Sequence, residues 1–370
     1  MSQASRKVLL VSGKVFHYRV ANYNYFAKRL REHGWEFVVR ASEIEMNNPI
    51  PIEFDCSVVP FGFFDYKREI ERIKPDVVIF FIHLKDRMIW PLMHWLKLRG
   101  TPFVYWNKGI NLEVAKPWFR NQFFYYIHNL SSALILYSKH NIKDIKPKNR
   151  SKVFIASNTI NFDSFPAIPA SKEALKREFG IPFAKVVLFV GRMRPLKKVE
   201  HLVEVFNTLR EPGTGCIIVG DAMGYDLPGM IKSSNIMYLG EIHDPQNLKI
   251  SKLFKLADVF CIPGDVGLGL NQAFYWGLPV VTEDGQQPPE IHYLVNGRNG
   301  FMVPENNLEE LKQKVLLLLH NDALRAELSR NAREDILREA SIETMFNGFR
   351  DCLATFDSWD SVLCKRRSCD

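Results

Sequence analysis

The chain has 370 residues, of which 46% are hydrophobic and 24% are charged, a composition that is typical of globular proteins and excludes a disordered or fibrous one. Because a typical domain holds about 100–200 residues, this length predicts two domains. The net charge of +8 is unevenly distributed, with a balance of +12 over residues 1–156 and −4 over residues 157–370.

The sequence shows no pattern of a secreted, membrane-spanning or metal-binding protein. Its apolar runs are shorter than the roughly 18–20 residues that cross a bilayer, and its N-terminus lacks the apolar core of a signal peptide. None of its six cysteines stands in a CxxC pair or in zinc-ligand spacing with histidine. We therefore expect a cytoplasmic protein without a metal site, in which Cys364 and Cys369 belong to a tail that is either frayed or lipidated.

Short β-branched runs alternate with amphipathic stretches in the first half, a pattern that predicts a parallel sheet covered by helices. The predicted strands are Val8–Ser12, Glu36–Arg40, Val77–Ile82, Phe103–Trp106, Ala133–Tyr137 and Val153–Ala156. The predicted helices are Tyr23–His33, Tyr66–Ile73, Ile89–Leu98 and Trp118–Leu130. The segment Ser157–Ala170 carries two prolines and little periodicity, and it is interpreted as a linker.

A second alternation of strands and helices follows the linker. The predicted strands are Val186–Val190, Cys216–Val219, Ile236–Leu239, Val259–Ile262, Val280–Thr282 and Phe301–Val303. The predicted helices are Val199–Leu209, Leu248–Leu256, Leu270–Trp276, Pro288–Val295, Leu308–His320, Ala323–Ala340 and Ile342–Phe356. The pattern predicts two doubly wound α/β domains, 1–160 and 161–340. We also expect a C-terminal helix within 341–370 to cross back to the first domain and to be followed by a tail. Such sheets bind ligands at the carboxyl ends of their strands.

The strongest local motif is FVGRMRPLKK, residues 189–198. A predicted strand ends at Gly191, and four cations follow within seven residues. Cations beside a strand end suit a diphosphate, because each charge-assisted hydrogen bond contributes roughly 1.5–3 kcal/mol. The alternative is a solvated helix start whose Lys and Arg side chains face water.

A second motif, PGDVGLGLNQAFYWGLP, lies in the same predicted domain, at residues 263–279. A strand runs into a glycine-rich turn and then a helix, and the free amides at a helix N-terminus favour an anion. The alternative is a tight turn that binds no ligand. Glu290, which follows two prolines, is interpreted either as a site residue or as the cap of a helix.

Polar residues also follow strands in the basic half. Gly13, Lys14 and Arg19 lie in a predicted loop after the first strand, and Asn107 and Lys108 follow a later one. Their glycine pattern is not GxGxxG, so a dinucleotide fingerprint is absent. The sequence contains no Asp-x-Asp, HExxH, P-loop or GxSxG motif, so metal and acyl chemistry are unsupported.

The motifs of the second half together resemble the retaining glycosyltransferases of the GT-B fold, specifically the GT4 family, or glycosyl transferases group 1. The stretches VLFVGRMRPLKK, CIIVGDAMG, IMYLGEIHD, ADVFCIPGDVGLGLNQAFYWGLPVV and PPEIHYLVNGRNGFMV follow one another in the family order. The resemblance implies two Rossmann-like domains facing a central cleft. It also implies transfer of a sugar from a nucleotide sugar to an acceptor hydroxyl, with retention and usually without a metal.

The resemblance assigns roles to individual residues of the donor-binding domain 161–340. Arg192 and Lys197 correspond to the pair that grips the donor diphosphate, beside Gly191. The turn amides of Gly267 and Leu268 meet the same phosphates, and Ile242 lies where the nucleobase is held. In the acceptor-binding domain 1–160, Gly13 corresponds to the loop glycine that admits the donor, while Lys14, Arg19, Asn107 and Lys108 are assigned to the acceptor.

The sequence departs from the family at the glycine turn. The family commonly has two glutamates eight positions apart, and here those positions hold Gly264 and Gln272. Gln272 can still bind ribose hydroxyls, because its amide both donates and accepts hydrogen bonds. Gly264 cannot touch the sugar through a side chain, so Asp265, Glu290 or backbone groups are expected to substitute. We interpret this variant as altered sugar handling, with loss of activity as the alternative.

The resemblance predicts a metal-independent hexosyltransferase for polysaccharide, lipopolysaccharide or other glycoconjugate assembly. Its donor is a UDP- or GDP-sugar, and its acceptor is a glycan or a lipid-linked molecule. The alternatives are a sugar-nucleotide epimerase, which would need acid/base carboxylates, and a non-catalytic nucleotide-sugar binding module.

The basic first half predicts a further partner. No helix-turn-helix, zinc finger or RNP-like pattern supports nucleic acid, so an anionic membrane surface fits better and the protein is expected to be peripheral at the inner face of the membrane. The alternative is a solvated basic face. The predicted contact residues are Lys14, Arg19, Lys28, Arg29, Arg31, Lys116 and Arg120, interleaved with Tyr23, Tyr25, Phe26, Trp118 and Phe119.

Overall fold

The computed structural model describes residues 5–45, 50–81, 86, 88–110, 118–244 and 246–357. The chain divides into two compact units. The first unit is Met1–Ile160 together with Ile342–Asp370, and the second unit is Asn161–Ser341. Cys364 and Cys369, for which a frayed or lipidated tail is predicted, lie outside the described residues.

The first unit contains a parallel sheet of seven strands in the order β3-β2-β1-β4-β5-β6-β7. Its strands are β1 (Arg6–Val15), β2 (Trp35–Ile44), β3 (Asp55–Val58), β4 (Val77–Phe81), β5 (Phe103–Asn107), β6 (Ala133–Leu136) and β7 (Val153–Ile155). The helices between them are α1 (His17–Glu32), α2 (Phe63–Ile73), α3 (Ile89–Leu98) and α4 (Trp118–Leu130). Because β1 neighbours both β2 and β4, the topological switch point lies at the carboxyl ends of β1 and β4.

Each face of this sheet is covered by a hydrophobic core. Along β1, Val8 and Leu10 belong to one core cluster, whereas Leu9 and Val11 belong to the other. This alternation follows from the two-residue period of a strand, and it explains why the strand reads as a continuous apolar run.

The second unit contains a parallel sheet of six strands in the order β10-β9-β8-β11-β12-β13. Its strands are β8 (Lys185–Val190), β9 (Thr214–Val219), β10 (Ile236–Tyr238), β11 (Val259–Cys261), β12 (Val280–Glu283) and β13 (Gly300–Val303). Its helices are α5 (Lys172–Glu178), α6 (Val199–Thr208), α7 (Leu227–Met230), α8 (Leu248–Leu256), α9 (Leu268–Tyr275), α10 (Leu308–His320) and α11 (Asp322–Glu339).

The last helix, α12 (Ile342–Ala354), packs against the first unit. The ring of Phe349 lies 4.8 Å from the rings of both Phe26 and Trp106, and Phe346 also packs against Phe26. The first unit is therefore assembled from two separate segments of the chain.

Several predicted boundaries are wrong. Strand β1 continues to Val15, so Gly13 and Lys14 lie inside the strand rather than in a loop after it. The sequence pattern missed β3, α5 and α7, and the predicted helix Pro288–Val295 is a short 3-10 helix, Pro289–Tyr293. None of the helices in the described ranges has both the length and the apolar character of a membrane-spanning segment.

Candidate functional site

Two loops that carry the strongest sequence motifs follow neighbouring strands of the second unit. The cationic loop, residues 191–198, follows β8, and the glycine turn, residues 263–267, follows β11. Strand β8 pairs with β9 on one side and with β11 on the other, so both loops lie at the topological switch point of the sheet. This is the position at which doubly wound sheets bind ligands.

Backbone hydrogen bonds join the cationic loop to the glycine turn. The amide of Gly264 donates to the carbonyl oxygen of Lys197 over 3.1 Å, and the amide of Asp265 donates to that of Leu196 over 2.7 Å. A side-chain carbon added to Gly264 would overlap the Leu196 carbonyl. The glycine at this position is therefore required by the close approach of two backbones, which accounts for the missing glutamate.

Lys197 lies between the two loops. Its side chain is 8% exposed, and its Nζ donates a 2.5 Å hydrogen bond to the carbonyl oxygen of Asp265. Its aliphatic stem packs against Gly191, where an added side-chain carbon would lie 3.2 Å from Cε. Burial lowers the pKa of Lys197 to about 8, although the Asp265 carboxylate favours the charged form.

The other cations of the motif divide into two groups. Arg192 is exposed, and among the described residues no carboxylate lies within ion-pair distance of its guanidinium. Arg194 forms an ion pair of 3.2 Å with Asp265, and the ammonium of Lys198 binds Glu283 and Glu305 at 2.8 and 2.7 Å. Arg192 is therefore the exposed cation of this loop that is available to a ligand, beside the buried Lys197.

The glycine turn leads into α9, which begins at Leu268, two residues before the predicted start. Gly267 has φ +54°, a left-handed conformation that glycine adopts without steric cost, and no side chain caps the helix. The first amides of a helix have no intrahelical acceptor and carry partial positive charge. The turn therefore presents backbone hydrogen-bond donors that suit an anion. Lys197 lies beside them, since a side-chain carbon added to Gly267 would be 3.9 Å from Lys197 Nζ.

Gln287 is a residue of this site that sequence reasoning missed. Its Nε2 donates to Gly264 O at 2.9 Å, Glu283 O at 2.8 Å and Thr282 Oγ1 at 2.9 Å, and its Oε1 accepts from the Val266 amide at 3.2 Å. The Gln287 side chain therefore holds the glycine turn through its hydrogen bonds to Gly264 and Val266. The signal that could have found it is a polar residue shortly after the end of β12, a neighbour of β11.

Three other residues that are predicted to bind the donor lie elsewhere in the second unit. Glu290 is buried in the first turn of the short 3-10 helix, and its carboxylate is close enough to favour the charged form of Lys197. Gln272 is half-buried on α9, and its Nε2 lies 3.3 Å from Asn247 Oδ1. Ile242 is half-buried in the loop after β10. The described contacts do not join Gln272 or Ile242 directly to Lys197.

The site residues predicted in the first unit are Gly13 for the donor and Lys14, Arg19, Asn107 and Lys108 for the acceptor, and several of them are buried or paired. Lys14 forms an ion pair of 2.6 Å with Glu43, and Gly13 accepts a hydrogen bond from Ser42. Arg19 is 3% exposed and donates to Asn158 at 2.8 Å, so its prediction as a surface contact is wrong. It is buried because α1 begins at His17 and turns this position inward, over the rings of Trp106 and Phe81.

Asn107 is the last residue of β5 rather than the first after it, and Lys108 follows the strand as predicted. Asn107 Oδ1 accepts from the Gly109 amide at 2.6 Å. Two residues of the predicted membrane contact, Tyr23 and Phe26, belong to the hydrophobic core, so that part of the prediction is wrong. Lys116 lies outside the described residues, as do the side chains of Trp118, Phe119 and Arg120. Within the described residues, no group of three His, Cys, Asp or Glu side chains could hold a metal ion.

Residues 171–335 match the family described as glycosyl transferases group 1, and the resemblance read from the motifs is confirmed. The match falls entirely within the second unit and contains both loops of the site. The second unit is therefore the part of the chain that is similar to group 1 glycosyltransferases.

The curated relatives that share sequence with the chain include two glycosyltransferases of different coverage. Poly(ribitol-phosphate) alpha-N-acetylglucosaminyltransferase of Staphylococcus aureus is 28% identical over 168 residues, which are 44% of this chain and 34% of that protein. An uncharacterised glycosyltransferase of Methanocaldococcus jannaschii is 22% identical over 316 residues, which are 80% of this chain and 78% of that protein. The chain thus spans about a third of the length of the first relative.

The fold is similar to that of solved glycosyltransferase structures. The crystal structure of Anabaena HepE in complex with UDP has a TM-score of 0.75 at 15% identity, and the likeness covers 95% of this chain and 100% of that one. The same protein in complex with UDP-glucose has a TM-score of 0.72 at 17% identity. The predicted fold class, GT-B with two Rossmann-like α/β units, is confirmed.

Proposed function

We propose that the chain transfers a sugar from a nucleoside-diphosphate sugar to an acceptor hydroxyl with retention of configuration, and that it serves the assembly of a polysaccharide or another glycoconjugate. The second unit binds the donor and the first unit binds the acceptor. The observation that carries the proposal is the placement of Lys197, Arg192 and the start of α9 around one switch point. The likeness to HepE, solved with UDP and with UDP-glucose, supports a uridine nucleotide as the donor.

In this reaction the bond between the sugar's anomeric carbon and the β-phosphate oxygen breaks, and the oxygen keeps the electron pair. Arg192, Lys197 and the amides of Gly267 and Leu268 stabilise the negative charge that develops there, so the chain's own cations supply the neutralisation that a metal supplies elsewhere. The acceptor hydroxyl bonds to the anomeric carbon and passes its proton to the departing phosphate. Removing one such preorganised group typically lowers the rate about 100- to 1,000-fold.

The test is incubation of the purified protein with a panel of UDP- and GDP-sugars and glycan acceptors, followed by chromatography of nucleotides and sugars. A glycosylated acceptor with released nucleotide supports the proposal, and Arg192→Ala or Lys197→Ala should lose this product without losing the fold. A new sugar isomer without transfer would indicate an epimerase. Binding without turnover would indicate a nucleotide-sugar binding module.

We also propose that the first unit binds an anionic membrane surface, where a lipid-linked acceptor would lie. The segment 139–152 supports this, because it holds six Lys and Arg residues and one Asp, and most of its basic side chains are exposed. Lys152, in this segment, is close enough to Lys97 for their charges to repel, and the neighbouring Leu98 is 88% exposed. Each basic residue near an anionic surface contributes about 1 kcal/mol to binding.

Co-sedimentation with phosphatidylcholine vesicles, with and without phosphatidylglycerol, tests this partner. The double variant Lys143→Glu/Lys148→Glu should lower vesicle affinity by at least about tenfold. The control Lys232→Glu/Lys249→Glu changes the net charge equally on the second unit and should leave it unchanged. Binding that is indifferent to phosphatidylglycerol and to salt would leave a solvated basic face as the explanation.

A further inference from the structure

We infer that Glu283 is a positioning residue of the donor site, which holds the cationic loop of residues 191–198 in the geometry that binds a diphosphate. The inference rests on the proposed function for its ligand and on the contacts of Glu283 for its geometry. It concerns a residue at the end of β12 that lies outside both sequence motifs.

Glu283 is a fully buried carboxylate with three donors. Its Oε2 accepts from Lys198 Nζ at 2.8 Å and from the Asn306 amide at 2.9 Å, and its Oε1 lies 2.6 Å from His201 Nδ1. Burial alone would raise the pKa of Glu283, but the hydrogen bonds from Asn306, Lys198 and His201 lower it below the usual value. The group is therefore a charged anchor inside the protein, and it binds the loop through Lys198.

The backbone of Lys198 shows why the loop needs an anchor. Lys198 has φ +50° and ψ +44°, the left-handed conformation, which is sterically unfavourable for a residue with a side chain. A residue keeps such a strained backbone conformation only where contacts with its surroundings hold it there. Here the ammonium of Lys198 is fixed by Glu283, by Glu305 at 2.7 Å and by Asn306 Oδ1 at 3.1 Å.

Fixing Lys198 also fixes the neighbours that touch the glycine turn. The carbonyl oxygens of Leu196 and Lys197 accept the amides of Asp265 and Gly264, and Lys197 Nζ reaches Asp265 O. A loop released from Glu283 would loosen these bonds and move both Lys197 and Arg192. The carboxylate thus acts on the ligand through the loop, without touching the ligand itself.

The experiment compares Glu283→Gln with Asp258→Asn. Asp258 is a matched control, because it is also buried and binds a lysine and a backbone amide, Lys172 at 3.1 Å and Val186 at 2.9 Å. It precedes β11, whereas the glycine turn follows that strand. Both variants should unfold at a lower temperature than the wild type, because each weakens a buried charged network.

Two measurements separate positioning from general stability, both made well below the unfolding temperature of either variant. Hydrogen exchange of the Gly264 and Asp265 amides should accelerate at least about tenfold in Glu283→Gln and stay at the wild-type rate in Asp258→Asn. Calorimetry with UDP should show an affinity at least about tenfold lower in Glu283→Gln and unchanged in Asp258→Asn.

The inference would be overturned if the Gly264 and Asp265 amides of Glu283→Gln exchanged hydrogen at the wild-type rate. It would also be overturned if exchange were accelerated equally in both variants. Accelerated exchange in Glu283→Gln alone, in a protein whose wild type binds neither UDP nor GDP, would support the anchor and contradict the proposed function instead. Faster exchange with unchanged UDP affinity would overturn the role of Glu283 in donor binding.

Discussion

Lys197 and Asp265, 68 residues apart in sequence, are joined by a 2.5 Å hydrogen bond from the lysine ammonium to the aspartate carbonyl oxygen. The bond leaves the Asp265 carboxylate to Arg194 and places a buried cation at the start of α9. Because the acceptor is a neutral carbonyl, the positive charge of Lys197 is not cancelled by a direct ion pair. The site therefore holds a partly desolvated charge, and an anionic ligand would relieve its burial penalty.

The protonation of Lys197 should set the pH dependence of donor binding. Because burial lowers its pKa to about 8, the free protein loses this charge as the pH rises above 8. UDP affinity, measured by calorimetry, should fall by up to about tenfold per pH unit above that point. Lys197→Met should bind UDP weakly and lack this fall, whereas Lys185→Met, at an exposed ion pair, should keep it. A flat profile in the wild type would contradict the prediction.

Gly264→Ala should destabilise the second unit and abolish UDP binding. The added carbon overlaps the Leu196 carbonyl, so either the cationic loop or the glycine turn must move. We expect a loss of about 2–4 kcal/mol in the free energy of unfolding, measured with urea. Gly62→Ala is the control, because there the added carbon meets only the carboxylate of the Asp65 side chain, which can rotate away, and no backbone atom. Wild-type UDP affinity in Gly264→Ala would show that the two loops are not coupled.

Gln287→Ala should also loosen the glycine turn, because it removes the hydrogen bonds between Gln287 and the turn. The substitution removes three hydrogen bonds donated by Nε2 and the one accepted from Val266. Leaving these buried groups without their partner costs about 1–3 kcal/mol, measurable as a lower urea midpoint. Gln287→Glu keeps the size but sets a carboxylate against the carbonyl oxygens of Gly264 and Glu283, so it should be destabilising as well. A midpoint unchanged in both variants would refute this role.

His128 should make the first unit sensitive to acid. Burial lowers its pKa to about 4, whereas the unfolded chain binds the proton near 6.5. Between these values the unfolded state holds more protons, so stability is lost as the pH falls from 6.5 towards 4, by about 3 kcal/mol at most. His128→Leu should lose less stability than the wild type over this range, and His320→Gln, at an exposed site, should behave as the wild type does. Parallel losses in all three proteins would contradict the prediction.

Local sequence patterns predict those elements whose own residues determine them. Helices α3, α4, α8 and α10 begin and end where periodicity places them, and the apolar strands of both sheets are found within a few residues. Strand β3 (Asp55–Val58) was missed because it is a half-exposed edge strand with polar residues, which gives no apolar run. The loops after β8 and β11 were located for the same local reason, since glycines and cations stand next to strong strands.

The contacts within the site could not be predicted in this way, because they join residues distant in sequence. From the motif alone, Lys198 is predicted to be a phosphate ligand. In the structure its positive charge is paired with Glu283, which lies 85 positions away in sequence. Gln287 has no motif of its own, and its importance arises from four groups that the sheet brings around it. From the sequence alone, Arg19 is predicted to be a surface cation. Because α1 begins at His17, the Arg19 side chain instead faces the core.

The return of α12 to the first unit has a consequence for the order in which the chain folds. Domains usually fold as units during synthesis, from the N-terminus onwards. Here Phe346 and Phe349 complete the core around Phe26, and they leave the ribosome after every residue of the second unit. The first unit, whose synthesis begins first, therefore completes its folding last. Until α12 is made, the apolar face that it covers stays exposed, and exposed apolar surface of this kind makes incompletely folded chains prone to aggregation.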